Sequence, residues 1–227
     1  LPDVQSNGTV YVLRVHPEAR FQADPCFGFD GAGQPRGRPV TAADVVFSLK
    51  RLADRRVASP GSWLVEDSVA GMRGFQEASS LGTATDYTRP VAGLTALDAR
   101  TVRITLTRPM HQFSWYLAMC YASVVPHEAV EKYGADFGGH AVGTGAYRLT
   151  AWRRNQQMTY RRDPSWRGWR EGPAAVHEGD AAVPFDRVVY SIIDDVSTQW
   201  LCFLSGELDF LGEVSRDNWD AVIDGTG

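Results

Sequence analysis

The chain has 227 residues and a formal net charge of -4 at pH 7. Apolar residues make up 44% and charged residues 22%, which is ordinary for a soluble globular protein and excludes a disordered chain, a collagen and a coiled coil. The acidic balance disfavours nucleic-acid binding, and no apolar run reaches the ~20 residues that a membrane span needs.

The first half of the chain predicts a strand, four helices and a hairpin. Residues 9–16 are β-prone, and residues 24–39 form a Gly- and Pro-rich surface loop. Thr41 and Asp44 have the spacing of a helix-capping pair, and apolar residues then recur at helical spacing. The later predicted elements are a weaker helix at 66–78, a hairpin of 91–97 with 101–107, a helical face from Phe113 to Cys120, and a short helix at 127–133 between Pro126 and Gly134.

The second half is richer in β-structure. The predicted elements are a hairpin of 147–152 with 157–161, a loop at 162–184, strands at 187–193 and 208–211, and helices at 197–205 and from 217. In the helix at 197–205 we expect Trp200, Leu201 and Leu204 to face inward and Gly206 to end the helix. Hairpins and helices mix without regular βαβ alternation, which predicts a mixed α/β (α+β) fold.

The sequence contains no recognisable catalytic motif. The five His are far apart and form no HExxH pattern, and no Ser lies in a GxSxG elbow. Gly143-Thr144-Gly145 lacks the GK[ST] of a phosphate loop and is interpreted as a structural turn, and the adjacent acids Asp194 and Asp195 as solvated surface residues. The sequence therefore predicts no catalytic residue, no metal ligand and no cofactor.

Cysteines and aromatic residues each leave two alternatives open. Cys26, Cys120 and Cys202 are either small buried hydrophobes or, in an oxidising compartment, a Cys26–Cys120 disulfide beside a free Cys202. The 7 Trp, 8 Tyr and 10 Phe either pack the core or line a cleft that grips a flexible organic ligand.

A set of short motifs stands in a fixed order along the chain. They are PVTAADVVFSLKRL at 39–52, ASP at 58–60, ALD with TVRITL at 96–106, VPHEAVEKYG at 125–134, VGTGAYRL at 142–149 and SGELD at 205–209. Together they resemble the family 5 extracytoplasmic solute-binding proteins, which are the oligopeptide- and dipeptide-binding components of ABC importers. The likeness covers nearly the whole chain.

The resemblance implies a partial periplasmic-binding-protein-like type II fold. Residues 1–124 are expected to form most of the family's extra domain, and residues 125–227 part of the first ligand-binding lobe. Family members are considerably longer, and this sequence has no initiator Met and no signal peptide. We therefore expect the numbering to start inside a longer protein.

For function, the resemblance implies a binding protein rather than an enzyme. It would capture peptides or a related small solute by lobe closure and deliver it to ABC transporter permease subunits. The expected location is periplasmic or extracytoplasmic, with membrane contact only through the permease or a lipid anchor outside this span. The alternative is the same fold recruited as a non-transport interaction subunit or ligand sensor of a larger assembly.

Four residues are the expected ligand contacts. The family position nearest the cleft matches Gly61, which has no side chain, so we expect Trp63 to substitute for it. Gly212 and Glu213 follow the SGELD motif and are expected to approach the cleft, where Glu213 would attract a ligand amine or, alternatively, stand as a solvated loop carboxylate.

Overall fold

The computed structural model describes residues 2–169, 185–219 and 222. In these ranges the strands are β1 (Asp3–Gln5), β2 (Val10–Arg14), β3 (Leu94–Ala96), β4 (Thr101–Thr105), β5 (Tyr147–Arg153), β6 (Gln157–Arg162) and β7 (Arg187–Ser191). The α-helices are α1 (Ala42–Ala53), α2 (Met72–Ser79), α3 (Phe113–Leu117), α4 (His127–Tyr133) and α5 (Val196–Leu204). The mixed α/β class expected from the sequence is confirmed.

An antiparallel sheet in the order β1-β2-β4-β3 supports the first half of the chain. Side chains alternate across it, so that Tyr11, Val102 and Ile104 are fully buried on one face. Leu49 of α1 and Met72 of α2 belong to the same buried cluster. The hairpin of β3 and β4 and the strand β2 are confirmed, whereas β1 carries no sequence signal, because its side chains are exposed.

The helix α1 begins where the capping pair predicts. The Thr41 backbone N–H donates to the Asp44 carboxylate at 2.8 Å, which satisfies a donor that the helix itself leaves free. Leu49 and Leu52 are buried as the periodicity indicates. The next helix, α2, begins at Met72 and not at residue 66, because the Ala70 N–H bonds the Thr105 carbonyl.

The chain divides into two compact units. The first contains residues 1–148 and 163–183, and the second contains residues 149–162 and 184–227. This division does not test the family-based boundary at residue 124, which stays a prediction. Two buried clusters lie in the first unit, one around Tyr11 and one around Phe21.

The second unit contains a sheet in the order β5-β6-β7 and the helix α5. The predicted hairpin, the third strand and the helix are confirmed, with Gly206 at a φ of 78° just beyond the helix end. The expected inward packing is wrong for Leu201 and Leu204, whereas Trp200 is half-buried. Leu201 and Leu204 are 63% and 62% exposed, and none of the described residues buries that face.

The strand predicted at 208–211 is also wrong. After Gly206 the chain curls back, and the N–H groups of Glu207 and Leu208 both bond the Cys202 carbonyl. This closes the end of the helix and leaves residues 208–211 outside the sheet that the structure describes. The helix expected from 217 starts as a 3-10 turn at Arg216–Asn218, and most of its remainder lies outside the described residues, as does most of the loop at 162–184.

Candidate functional site

Trp63 stands on the surface of the first unit and is supported from the core. It lies in the 3-10 turn Ser62–Leu64, and 47% of it is exposed. Its ring meets Tyr116 edge-to-face at 5.3 Å, Tyr116 meets Phe113 at 6.1 Å, and Phe113 meets Tyr11 at 5.3 Å. Because such pairs fix ring orientation, this row of four rings holds Trp63 in place while leaving it open to a ligand.

Gly61 is buried two residues before Trp63 and packs against Tyr121. A Cβ at position 61 would overlap the Tyr121 side chain. Gly61 therefore has no side chain with which to contact a ligand, as the sequence indicates. Tyr121 is 42% exposed at this place, and no local sequence pattern marks it.

We call Trp63, Tyr116 and Tyr121 the aromatic surface. Two contacts define the aromatic surface. Trp63 contacts Tyr116, and Gly61 contacts Tyr121. The sequence signal for Tyr116 was its place on a helical face, and for Tyr121 there was none. Its position depends on the 3-10 turn Cys120–Ala122, which periodicity does not predict.

Gly212 and Glu213 lie in the second unit and are exposed. They follow the curled segment after α5, which backbone hydrogen bonds to the Cys202 carbonyl close. Asp195, interpreted from the sequence as a solvated acid, instead caps α5. Its carboxylate accepts from the Thr198 N–H at 2.7 Å and the Thr198 hydroxyl at 2.6 Å, and these bonds lower the pKa of Asp195.

An ion-pair cluster centred on Arg38 ties the loop before α1 to α4. The guanidinium donates to Asp44 at 2.7 and 2.8 Å and to Glu128 at 2.6 Å through two nitrogens. It also lies over the rings of Phe21 and Phe27, at 5.0 and 5.2 Å from their centroids. Such bidentate, stacked geometry suits Arg and not Lys.

The two carboxylates of this cluster are ionised in the folded protein. Burial alone would raise the pKa of each. The hydrogen bonds and charge of Arg38, together with further hydrogen bonds such as those from Thr41 to Asp44, outweigh burial and lower the pKa of both Asp44 and Glu128. Ligand atoms of Asp44, His127 and Glu128 lie within 4.8 Å of one another, a spacing that also suits a metal ion. Arg38 already pairs with both acids, so the group acts as a structural ion-pair cluster.

A cavity of about 480 Å³ lies in the first unit, beside the Gly143-Thr144-Gly145 segment. Thr144, Gly145, Trp166 and residues 17–23 contribute to its wall. The Gln22 N–H donates to the Gly143 carbonyl at 2.9 Å, and the Gln22 side-chain amide donates to the Gly145 carbonyl at 2.8 Å. These bonds give the segment the structural role expected for it, and its place in the cavity wall was not expected.

The three cysteines are all described, and all are free thiols. The disulfide alternative for Cys26 and Cys120 is therefore absent from this structure. The buried alternative is wrong for Cys120, which is exposed beyond the end of α3, while Cys26 and Cys202 are half-buried. Burial, with Asp24 beside it, raises the pKa of the Cys26 thiol to about 12, which disfavours the thiolate at neutral pH.

Curated relatives of this chain include periplasmic binding proteins. It is 33% identical over 183 residues to the periplasmic oligopeptide-binding protein OppA of Salmonella typhimurium, covering 76% of this chain and 29% of that protein. It is 27% identical over 200 residues to the periplasmic murein peptide-binding protein MppA of Escherichia coli, covering 86% of this chain and 33% of that protein. The chain thus spans about a third of these relatives' length or less.

Solved structures share the fold. The unliganded open form of the murein tripeptide-binding protein MppA superposes with a TM-score of 0.74 at 20% identity, covering 100% of this chain and 38% of that chain. Listeria monocytogenes OppA bound to peptide gives a TM-score of 0.65 at 18% identity, covering 92% of this chain and 36% of that chain. The type II binding-protein fold expected from the motifs is confirmed for the part of that fold that this chain covers.

Among the described residues, no helix has both the length and the apolar character needed to cross a membrane. Residues 3–227 match the family described as bacterial extracellular solute-binding proteins, family 5 Middle. The motifs, the fold and this match agree over nearly the whole chain, and the chain belongs to the bacterial extracellular solute-binding proteins of family 5.

Proposed function

We propose that the protein containing this chain binds peptides or a related small solute outside the cytoplasm and delivers it to the permease of an ABC transporter. The family match over residues 3–227 is the observation that carries this proposal. OppA and MppA, which it resembles, are periplasmic proteins named for binding oligopeptides and murein peptides. Binding by lobe closure needs no reaction, so we propose no enzymatic activity.

The aromatic surface supports the proposal from the structure. An exposed Trp held by three successive ring contacts offers a large apolar contact area at little entropic cost. We therefore propose Trp63 as a ligand contact, with Gly61 beside it seating the Tyr121 ring. Gly212 and Glu213 remain proposed contacts in the second unit, where the Glu213 carboxylate would pair with a ligand amine.

The family-based division also remains a proposal. Residues 1–124 would form the extra domain and residues 125–227 part of the first lobe. A periplasmic or extracytoplasmic location follows from what the relatives are named, and a lipid anchor or the permease would provide any membrane contact.

Titration calorimetry on the full-length protein with tri- and tetrapeptides tests the proposal. We expect binding, and Trp63→Ala should weaken it about tenfold, because an aromatic contact is lost. Trp152→Ala is the matched control, since Trp152 is a partly exposed Trp on β5 and should leave the affinity unchanged. Failure of the unmodified protein to bind any peptide would refute peptide binding.

Transport requires a second experiment. Deletion of the gene should abolish uptake of a peptide that the purified protein binds, and complementation with the intact gene should restore it. A protein that binds peptide in vitro while the deletion leaves uptake unchanged would instead favour the ligand-sensor alternative.

A further inference from the structure

Gly61 and Tyr121 fit each other closely. The φ of Gly61 is -94°, a value open to any residue, so its backbone does not require glycine. A Cβ at this position would overlap Cβ and Cγ of Tyr121 and lie 3.0 Å from Cδ2. Glycine is therefore needed here because the Tyr121 ring rests directly on its backbone.

Tyr121 nevertheless presents much of its side chain to solvent. It is 42% exposed, close to the 47% of Trp63. Among the described residues, none forms a hydrogen bond with its hydroxyl. An aromatic ring with a free hydroxyl offers a ligand both apolar contact and a hydrogen bond. Both rings adjoin the short segment 61–63, Trp63 as its last residue and Tyr121 through its contact with Gly61.

The backbone that carries Tyr121 is fixed. The Ala122 N–H donates to the Met119 carbonyl at 3.0 Å, and the Ser123 N–H donates to the Cys120 carbonyl at 3.2 Å. The Val125 N–H donates to the Ser48 hydroxyl on α1 at 2.9 Å. A ring attached to such a turn loses little freedom when a ligand binds.

We propose that Tyr121 is a specificity-determining residue, which together with Trp63 selects solutes that place an apolar or aromatic side chain on the aromatic surface. The inference rests on the proposed function. Two rings gain most from stacking and dispersion contact with another apolar group. A cationic side chain would use the ring faces instead, and the experiment separates the two.

Titration calorimetry on the full-length protein with Ala-Phe-Ala, Ala-Ala-Ala and Ala-Lys-Ala measures this selection. We expect the unmodified protein to favour the Phe peptide over the Ala peptide by about tenfold. Tyr121→Ala should reduce that preference to about threefold or less, and Gly61→Ala should do the same by displacing the ring. Phe29→Ala, which removes a ring that is 55% exposed in the 24–39 loop, should leave the preference unchanged.

Tyr121→Phe and Tyr121→Leu distinguish the contribution of the aromatic ring to the preference from an effect on folding. The Phe variant should keep the preference, whereas the Leu variant fills the space above Gly61 without a ring and should lose it. Normal thermal unfolding of the Leu variant excludes a folding defect.

Two results would overturn the inference while leaving the proposed function intact. One is peptide binding with a Phe preference that neither Tyr121→Ala nor Tyr121→Leu changes, and the other is a preference for the Lys peptide. A protein that binds none of the three peptides would refute the proposed peptide binding and this inference together.

Discussion

Arg38 carries more contacts than its place in a Gly- and Pro-rich loop suggests. It bridges Asp44 of α1 and Glu128 of α4 and lies over two rings of the second buried cluster. Asp44 is 2% exposed, so its charge depends on this partner. The sequence shows a capping acid at position 44 but not the arginine that neutralises it, because the two meet only after the loop folds back.

This cluster makes stability depend on pH in the acid range. Both carboxylates have folded-state pKa values below their ordinary values of 3.8 and 4.5. The stabilisation is therefore fully present above the ordinary values and is lost as pH falls through the lowered ones. Urea unfolding of the chain between pH 2 and pH 7 should show a steep loss of stability below about pH 4.

Arg38→Met should destabilise the chain by about 3 kcal/mol at pH 7, since it leaves two carboxylates without their partner. The folded-state pKa of each acid should then rise towards or above its ordinary value, so the acid-induced loss of stability that this cluster causes should shrink. Arg73→Met removes an arginine paired with Asp67 on the surface and is the control, with little effect expected. If Arg38→Met and the unmodified chain lose stability over the same pH range and by the same amount, the Arg38 cluster is not the cause of that loss.

At the scale of elements, α1 is linked to the chain after α3 by one buried hydroxyl. Ser48 donates to the Asp44 carbonyl at 2.7 Å and accepts from the Val125 N–H at 2.9 Å. Ser48 is 7% exposed, so that N–H has little access to water. The link places the segment that carries Tyr121 against the helix.

Ser48→Ala should cost about 1–3 kcal/mol of stability, because it leaves a buried N–H without an acceptor. Chemical denaturation of the two proteins measures the difference. Ser80→Ala removes an exposed hydroxyl that bonds the Glu77 carbonyl and should change stability little. Equal stability of Ser48→Ala and the unmodified chain would show that water replaces the bond.

At the scale of the whole molecule, the two compact units differ in their cores. The buried apolar residues of the described ranges all lie between Tyr11 and Val142, in the first unit. In the second unit α5 has no buried residue, and Leu201, Leu204 and Phe210 are more than half exposed. Apolar burial provides most of the stability of a domain, so the two units should differ in stability.

Amide hydrogen exchange on the 227-residue chain tests this difference. We expect β2 and β4 to exchange at least about tenfold more slowly than β6 and β7, because opening the first sheet exposes a buried core. Each pair is a matched control for the other, since both are antiparallel ladders of similar length. Equal protection of the two sheets would show that burial does not set their stability.

Local patterns in the sequence determined much of this protein. Capping at Thr41, the alternation of β4, Pro126 before α4 and Gly206 after α5 each act within a few residues, and the family motifs identified the fold without any long-range contact. These signals are local because hydrogen bonding and side-chain direction follow from neighbouring residues.

The tertiary structure decided what depends on distant residues. Burial of Leu201 and Leu204 was predicted from periodicity and is wrong, because a pattern identifies an apolar face but not whether anything covers it. The contact of Tyr121 with Gly61, the row of rings behind Trp63 and the pairing of Arg38 with Glu128 join residues dozens of positions apart. No local spacing encodes such contacts, since the path of the whole chain brings them together.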